Sequence, residues 1–294
     1  MYKIIVDSAG NLTEDLLDKY DIEVISFKCT IDGNEYICYE PGRNDDEDGK
    51  WFYDNIRNGN DVRTSLINPE QICDKLTPFL KDGFDVIFVC MSAHLTGTYQ
   101  SACIAKGMLE EDFPDRKINM IDSISASFGE GLLCIEASKM RDSGADIDDV
   151  TEWIENNRLR IRHIFTVDDL KYLKKGGRIS GAAATVGSLL SIKPVLYATD
   201  DGTIDKRCVI RGRKKSLDAL VNDYLEYVYN PSEQIIAIAH CDCKEDAEYI
   251  AKRIENEMPP KEIIIRQYDR CSGTHVGPGA MCLFFMGKDR HYND

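Results

Sequence analysis

The chain of 294 residues contains no apolar run approaching the ~20 residues of a membrane span, so a helical membrane protein is not expected. Its first residues, MYKIIVDSAG, lack a basic stretch followed by an apolar one. They read as a first strand, and a cytoplasmic location is expected. Positive charge is also short. There are 36 Lys and Arg against 51 Asp and Glu, a net charge of -15, and this argues against general nucleic-acid binding, which needs a cationic face. Basic residues cluster only at Arg207–Lys215, which reads as a solvated strand end and helix start. No CxxC pair occurs. The eleven cysteines are scattered, odd in number and often inside apolar segments (Cys90, Cys134, Cys282), a pattern of buried free thiols rather than of a disulfide scaffold. Cys241-Asp-Cys243 beside His240 has no second ligand pair at zinc spacing, so no metal site is expected. There is no GxSxG elbow, no Walker A lysine motif and no GxGxxG fingerprint, and no pair of carboxylates is placed for acid–base work.

What is present is an alternation of strand and helix signals. In the first half, Lys3–Val6, Ile22–Thr30, Val86–Met91 and Ile118–Ile121 read as strands. Helices are expected at Glu14–Tyr20 (capped by Asn11), at Trp51–Asn58, from Pro69 to Leu80, after Thr98 and up to Met140. Asn44–Lys50 is acidic and reads as an exposed loop. Repeated β-loop-α units predict a mainly parallel sheet covered by helices. A boundary near residues 150–160 divides the chain into an N-terminal α/β domain, 1–155, and a C-terminal α/β domain, 156–294. In the second domain, Asp201-Gly202 between Val195–Ala198 and Asp205–Ile210 is a hairpin signal, which adds an antiparallel component. Ala182–Leu190 is a small-residue helix. SGTHVGPG, Ser272–Gly279, reads as a glycine-rich loop before a final strand, Ala280–Met286.

The most telling stretch is Val86–Ala102, VIFVCMSAHLTGTYQSA: a buried strand, a hydroxyl-rich glycine loop and a helix start. α/β proteins hold anions at such places, with backbone N–H groups and hydroxyls aimed at the ligand. Four polar loops beside strands or helix starts make up the candidate site: Asp7-Ser8, Thr64-Ser65, Ser92 with Thr96-Gly97-Thr98, and Thr274-His275. Arg178 follows a Gly-Gly pair. Hydroxyls, an imidazole and a guanidinium can together bind a carboxylate or phosphate. Of the five histidines, His275 alone sits in a glycine-rich stretch. His94, His163, His240 and His291 read as core or surface residues.

The ordered set VDSAGNL, RTSLINP, MSAHLTGTYQSA, IDS, DDLKYLKKGGRIS, SLLSIKPVL, DGTIDKRCVIRGRKK and GTHVGPGAM, from about residue 3 to 286, resembles the DegV family. The resemblance implies binding of a long-chain fatty acid, such as palmitate, with no cofactor besides that ligand. It also implies that the protein is the non-catalytic, acyl-carrying partner of a separate ATP-dependent fatty-acid kinase that serves phospholipid metabolism. Carried over by motif, Thr64 and Thr96 fall on carboxylate-binding positions, with Ser65, Ser92, Gly97 and His275 beside them. Arg178 and His275 fall on head-group or kinase-facing positions. Thr96 stands where the family has serine, and Ala93 where it has a second serine. Ala182–Ala184, Val186, Leu189 and Leu190 are expected along the acyl tail. Two other readings stay open: a free-standing hydrolase or transferase using Ser92 and His275, and a lipid-sensing interaction protein. Neither nucleic-acid binding nor stable membrane insertion is expected.

Overall fold

The structure, a computed structural model, describes residues 1–42, 45–179, 192–288 and 290, without the side chains of 45–47. The expected Ala182–Leu190 helix and His291 lie outside the described residues. The chain opens with β1 (Tyr2–Asp7), a 3-10 turn at Ser8–Gly10, α1 (Glu14–Lys19) and β2 (Ile22–Ile25). Thr13, not Asn11, caps α1, its hydroxyl accepting from Leu16 N at 3.3 Å. β3 (Lys28–Ile31), β4 (Asn34–Ile37), α2 (Asp45–Arg57) and β5 (Val62–Ser65) follow. Then come α3 (Pro69–Lys81), β6 (Asp85–Cys90), α4 (Thr98–Asp112), β7 (Ile118–Asp122), α5 (Phe128–Asp142) and α6 (Ile147–Asn157). The second half contains β8 (Ile161–Thr166), α7 (Lys171–Gly176), β9 (Ile192–Ala198), β10 (Ile204–Arg211), α8 (Arg213–Tyr227), β11 (Ile235–His240), α9 (Lys244–Glu257), β12 (Glu262–Gln267), α10 (Arg270–Val276) and β13 (Met281–Met286).

The fold is α/β with two domains, as expected. Strands β2-β1-β6-β7 form an all-parallel sheet, and β10-β9-β8-β13-β11-β12 form a mixed one in which β11 and β12 are parallel and the other pairs antiparallel. The period-2 geometry of strands divides the apolar residues between faces. Ile5, Val86 and Phe88 pack under α3 and α4, against Ile72, Leu76, Ala102, Ala105 and Leu109. Ile4, Val6, Ile87 and Val89 face the opposite way, into a core shared with Phe165 and Phe284 of the mixed sheet. α5 lies inside that core, and Phe128 to Ile135 are buried without interruption. The two halves therefore share one hydrophobic interior. The outer face of the mixed sheet is covered by α8 and α9 through Leu217, Leu220, Ile250 and Ile254. All eleven cysteines are free, seven of them buried.

Three elements differ from the sequence reading. Ile22–Thr30 is not one strand, because it breaks at Ser26-Phe27. There Phe27 N donates to Ser8 Oγ at 2.9 Å and Tyr39 N donates to Ser26 Oγ at 2.9 Å. Those bonds turn the chain out of the parallel sheet and into a small antiparallel one, β4-β3-β5, which places Thr64 in a strand opposite Cys29. The acidic stretch before Trp51 is helical, as part of α2, rather than an exposed loop. Finally, the stretch Ser272–Val276 is helix rather than glycine loop. Asp269 caps α10 by accepting from Cys271 N at 2.7 Å and Ser272 N at 3.1 Å, and Gly277, at φ +77°, ends it.

Gly273 is what lets α10 seat closely, since a Cβ there would meet the Tyr53 hydroxyl at 2.3 Å. That hydroxyl is itself fixed by donating to Tyr268 O at 3.0 Å. Gly273→Ala should therefore lower stability by about 1–3 kcal/mol, read as a lower urea midpoint with unchanged slope. A variant as stable as the parent would contradict this packing.

Candidate functional site

Eight stretches of the chain converge on one cavity of about 250 Å³, just below the ~300–1,000 Å³ of small-molecule sites. β5 and the residue after it supply Thr64, Ser65 and Leu66. The loop after β6 supplies Met91, Leu95, Thr96 and Gly97. α7 and its following turn give Leu173 and Arg178, and β8 gives His163 and Phe165. Tyr268 and α10 give Cys271, Ser272, His275 and Val276. Phe27, Ala126 and Ile204 complete the wall. Most of this lining is apolar, and a polar group gathers at Thr64, Thr96, Arg178 and His275.

Thr64 Oγ1 and His275 Nε2 lie 2.9 Å apart, although 211 residues separate them in sequence. Gly176 leaves room for the imidazole, because a Cβ there would lie 2.4 Å from His275 Nδ1. That Nδ1 has no hydrogen-bond partner. Burial first, and the Arg178 guanidinium second, push His275 down to about 4, so the ring is neutral at pH 7. Arg178 donates from Nε to Leu95 O at 3.1 Å and from Nη1 to Gly176 O. It thereby pins the Leu95–Thr96 segment to the end of α7. The Thr96 and Thr98 hydroxyls are 3.0 Å apart, and Thr98 Oγ1 accepts from Ile67 N at 3.3 Å. Gly97, just before α4, allows Leu66 to close in, since a Cβ would stand 3.0 Å from Leu66 Cδ2.

Thr64, Ser65, Thr96, Gly97, Arg178 and His275 are thus brought together, whereas Ser92 lies elsewhere. Fully buried, Ser92 donates to Gly202 O at 2.9 Å and accepts from His94 N at 3.2 Å, clasping the β9–β10 turn. Among the described residues no hydrogen bond joins Ser92 to His275, so the pair needed for a serine nucleophile and its base is not assembled. The sequence reading missed His163, Phe165, Tyr268, Cys271 and Ser272 as wall residues. For α10 a signal existed in Asp269, a capping residue directly before Arg-Cys-Ser. Nothing in the strand His163–Phe165 distinguishes cavity wall from core.

The interior beside the cavity favours neutral groups. Asp7 accepts from Ala9 N at 3.0 Å and Met91 N at 2.7 Å, yet burial raises it to about 7. Burial raises Glu130 and Asp269 as well, and lowers His163 to about 3. Among the described residues no three His, Cys, Asp or Glu side chains are arranged to hold a metal ion, and no helix is long and apolar enough to cross a membrane.

A family model described as "uncharacterised protein, DegV family" matches residues 1–288. The chain belongs to the DegV family. A DegV domain-containing protein of Clostridium perfringens is 39% identical over 289 residues, 98% of each chain. Among solved DegV-like folds, a DegV lipid-binding protein from Thermotoga maritima superposes with a TM-score of 0.84 at 26% identity, covering 99% of this chain and 100% of its own. A stearic acid-binding protein from Eubacterium ventriosum gives a TM-score of 0.84 at 26% identity, covering 97% of this chain and 99% of its own.

In this DegV protein the depressed histidine pKa values carry a sign. Unfolded imidazole titrates near 6.5 and folded His163 near 3. His163 therefore contributes its stability in full above pH 6.5 and loses it as the pH falls from 6.5 toward 3, by about 1.4 kcal/mol per unit. In melting curves recorded between pH 7 and 4, His163→Phe should flatten the acid limb relative to the parent. Parallel curves would contradict the buried neutral imidazole.

Proposed function

We propose that this protein binds one long-chain fatty acid, with the carboxylate at Thr64 and Thr96 and the acyl chain in the cavity. In this reading it presents the acid to a separate ATP-dependent kinase, which converts the carboxylate to an acyl phosphate. The observation that carries the reading is the cavity itself: apolar walls that end at a cluster of two threonines, an arginine and a neutral histidine. The chain's similarity to a DegV lipid-binding protein and to a stearic acid-binding protein supports it.

The physical logic is one of replacing water. A carboxylate leaving water needs substitute donors. With the proton of His275 on Nε2, the ring donates to Thr64 Oγ1, and the Thr64 hydroxyl hydrogen is free to donate to the ligand. Thr96 supplies a second hydroxyl, and the Arg178 guanidinium a compensating charge. Each methylene buried along Phe165, Ile204 and Leu173 adds roughly 0.8 kcal/mol, so the tail dominates affinity and the hydroxyls set its direction. The chain has no phosphate-loop lysine motif of its own, which is why the phosphoryl donor is assigned to a partner. Arg178 and His275 are the residues assigned to the head group and to the face seen by that partner.

The test is a Thr64→Ala/Thr96→Ala double variant titrated with palmitate. Affinity should fall by about a hundredfold or more as two charge-assisted hydrogen bonds are lost, while the ligand-free melting temperature changes little. Unchanged affinity would refute the carboxylate assignment. His275→Ala, loaded with palmitate and mixed with a fatty-acid kinase and ATP, should keep its lipid and form acyl phosphate more slowly. Normal turnover would refute the role given to His275.

A further inference from the structure

One polar ring in the cavity wall is left unused by the carboxylate at its mouth. His163 lies on β8, two residues before Phe165 and on the same strand face, roughly 7 Å farther along the strand from α7 and Arg178. In the strand register it sits opposite Phe284 of β13. The imidazole packs beside the rings of Phe165 and Phe284, with centroids at 5.3 and 4.6 Å. His163 is 4% exposed and lines the cavity, and its Nδ1 has no hydrogen-bond partner. A neutral imidazole has one donor and one acceptor nitrogen. A plain methylene chain passing the ring offers nothing to either, whereas phenylalanine or leucine at this position would line an unsubstituted tail without leaving a polar atom unpaired.

We propose that the cavity selects a fatty acid bearing a hydroxyl group on its chain, and that His163 is the residue that selects it. The inference rests on the fatty-acid reading above and specifies the ligand class. A hydroxyl both donates and accepts, so it pairs with whichever imidazole nitrogen meets it. A hydroxyl carries no charge, so it costs less to bury in this mostly apolar wall than a second carboxylate would. Phe165, Leu173 and Ile204 keep the rest of the tail in apolar surroundings.

The experiment is a calorimetric titration of the delipidated protein with stearate and with a positional series of monohydroxystearates. At least one isomer should bind about tenfold tighter than stearate, the gain of one well-formed hydrogen bond. His163→Phe should erase that preference, read as the ratio of hydroxystearate to stearate affinity within the variant, and His163→Gln should retain part of it. Stearate binding as tightly as every hydroxylated isomer overturns the proposal and assigns the ring's partner to water. So does a preference that survives in His163→Phe. If His163→Phe fails to fold, the parent's own ratio of affinities decides. A parent that binds none of these acids overturns the fatty-acid reading itself, and this inference with it.

Discussion

The seating of α10 carries the rest of the site. This short helix from the C-terminal half packs against β5, β3, α2 and α7, and it brings Cys271, Ser272, His275 and Val276 to the cavity. Its position depends on close approach at both flanks. Gly273 lies against Tyr53, and His275 reaches into the space left by Gly176. Its start is set by the Asp269 cap and by Arg270, which bonds Asp48 and stacks near Tyr36 and Trp51. Residues distant in sequence are thereby held at hydrogen-bond distance, and the Thr64–His275 contact is the result.

In the proposed function, electrostatics orients the fatty acid. The interior raises Asp7, Glu130 and Asp269 and lowers His163, which means that it resists charge of either sign. A fatty-acid carboxylate driven into it would lose hydration beside the same low-polarity interior that disfavours those charges. At Thr64, Thr96 and Arg178 it meets hydroxyl donors and a guanidinium instead. This contrast is the physical basis for the proposed arrangement, with the tail inward and the carboxylate at the polar cluster. The clasp of Ser92 on Gly202, and of Arg290 on the carbonyls of Ile124 and Thr199, fixes the hairpin that contributes Ile204 to the same wall.

Much of the fold was legible in the sequence, because the strands of the parallel sheet are uninterrupted apolar runs and the helices carry clear periodicity. Ala102, Ala105 and Leu109 of α4 were readable as a buried face and are one. The small β4-β3-β5 sheet was not legible. The break at Ser26-Phe27 is made by hydrogen bonds to Ser8 and Tyr39, which no local pattern reveals. Thr64, Thr96, Arg178 and His275 stood out as polar residues in loops beside strands or helix starts, motif order gave them their roles, and the structure brings them together. Ser92 shares the same hydroxyl-rich loop as Thr96 yet turns to another partner, so proximity in sequence misassigned it to the cavity. His163 looked like a core histidine because burial and cavity lining leave the same trace in a strand.

The most direct test of the central claim is denaturing mass spectrometry of the organic extract from the purified protein, referenced to protein concentration. The account predicts close to one fatty acid per chain, free of phosphate ester and of glycerol. An empty extract, followed by no thermal stabilisation on adding palmitate, stearate or their hydroxylated forms, would contradict it.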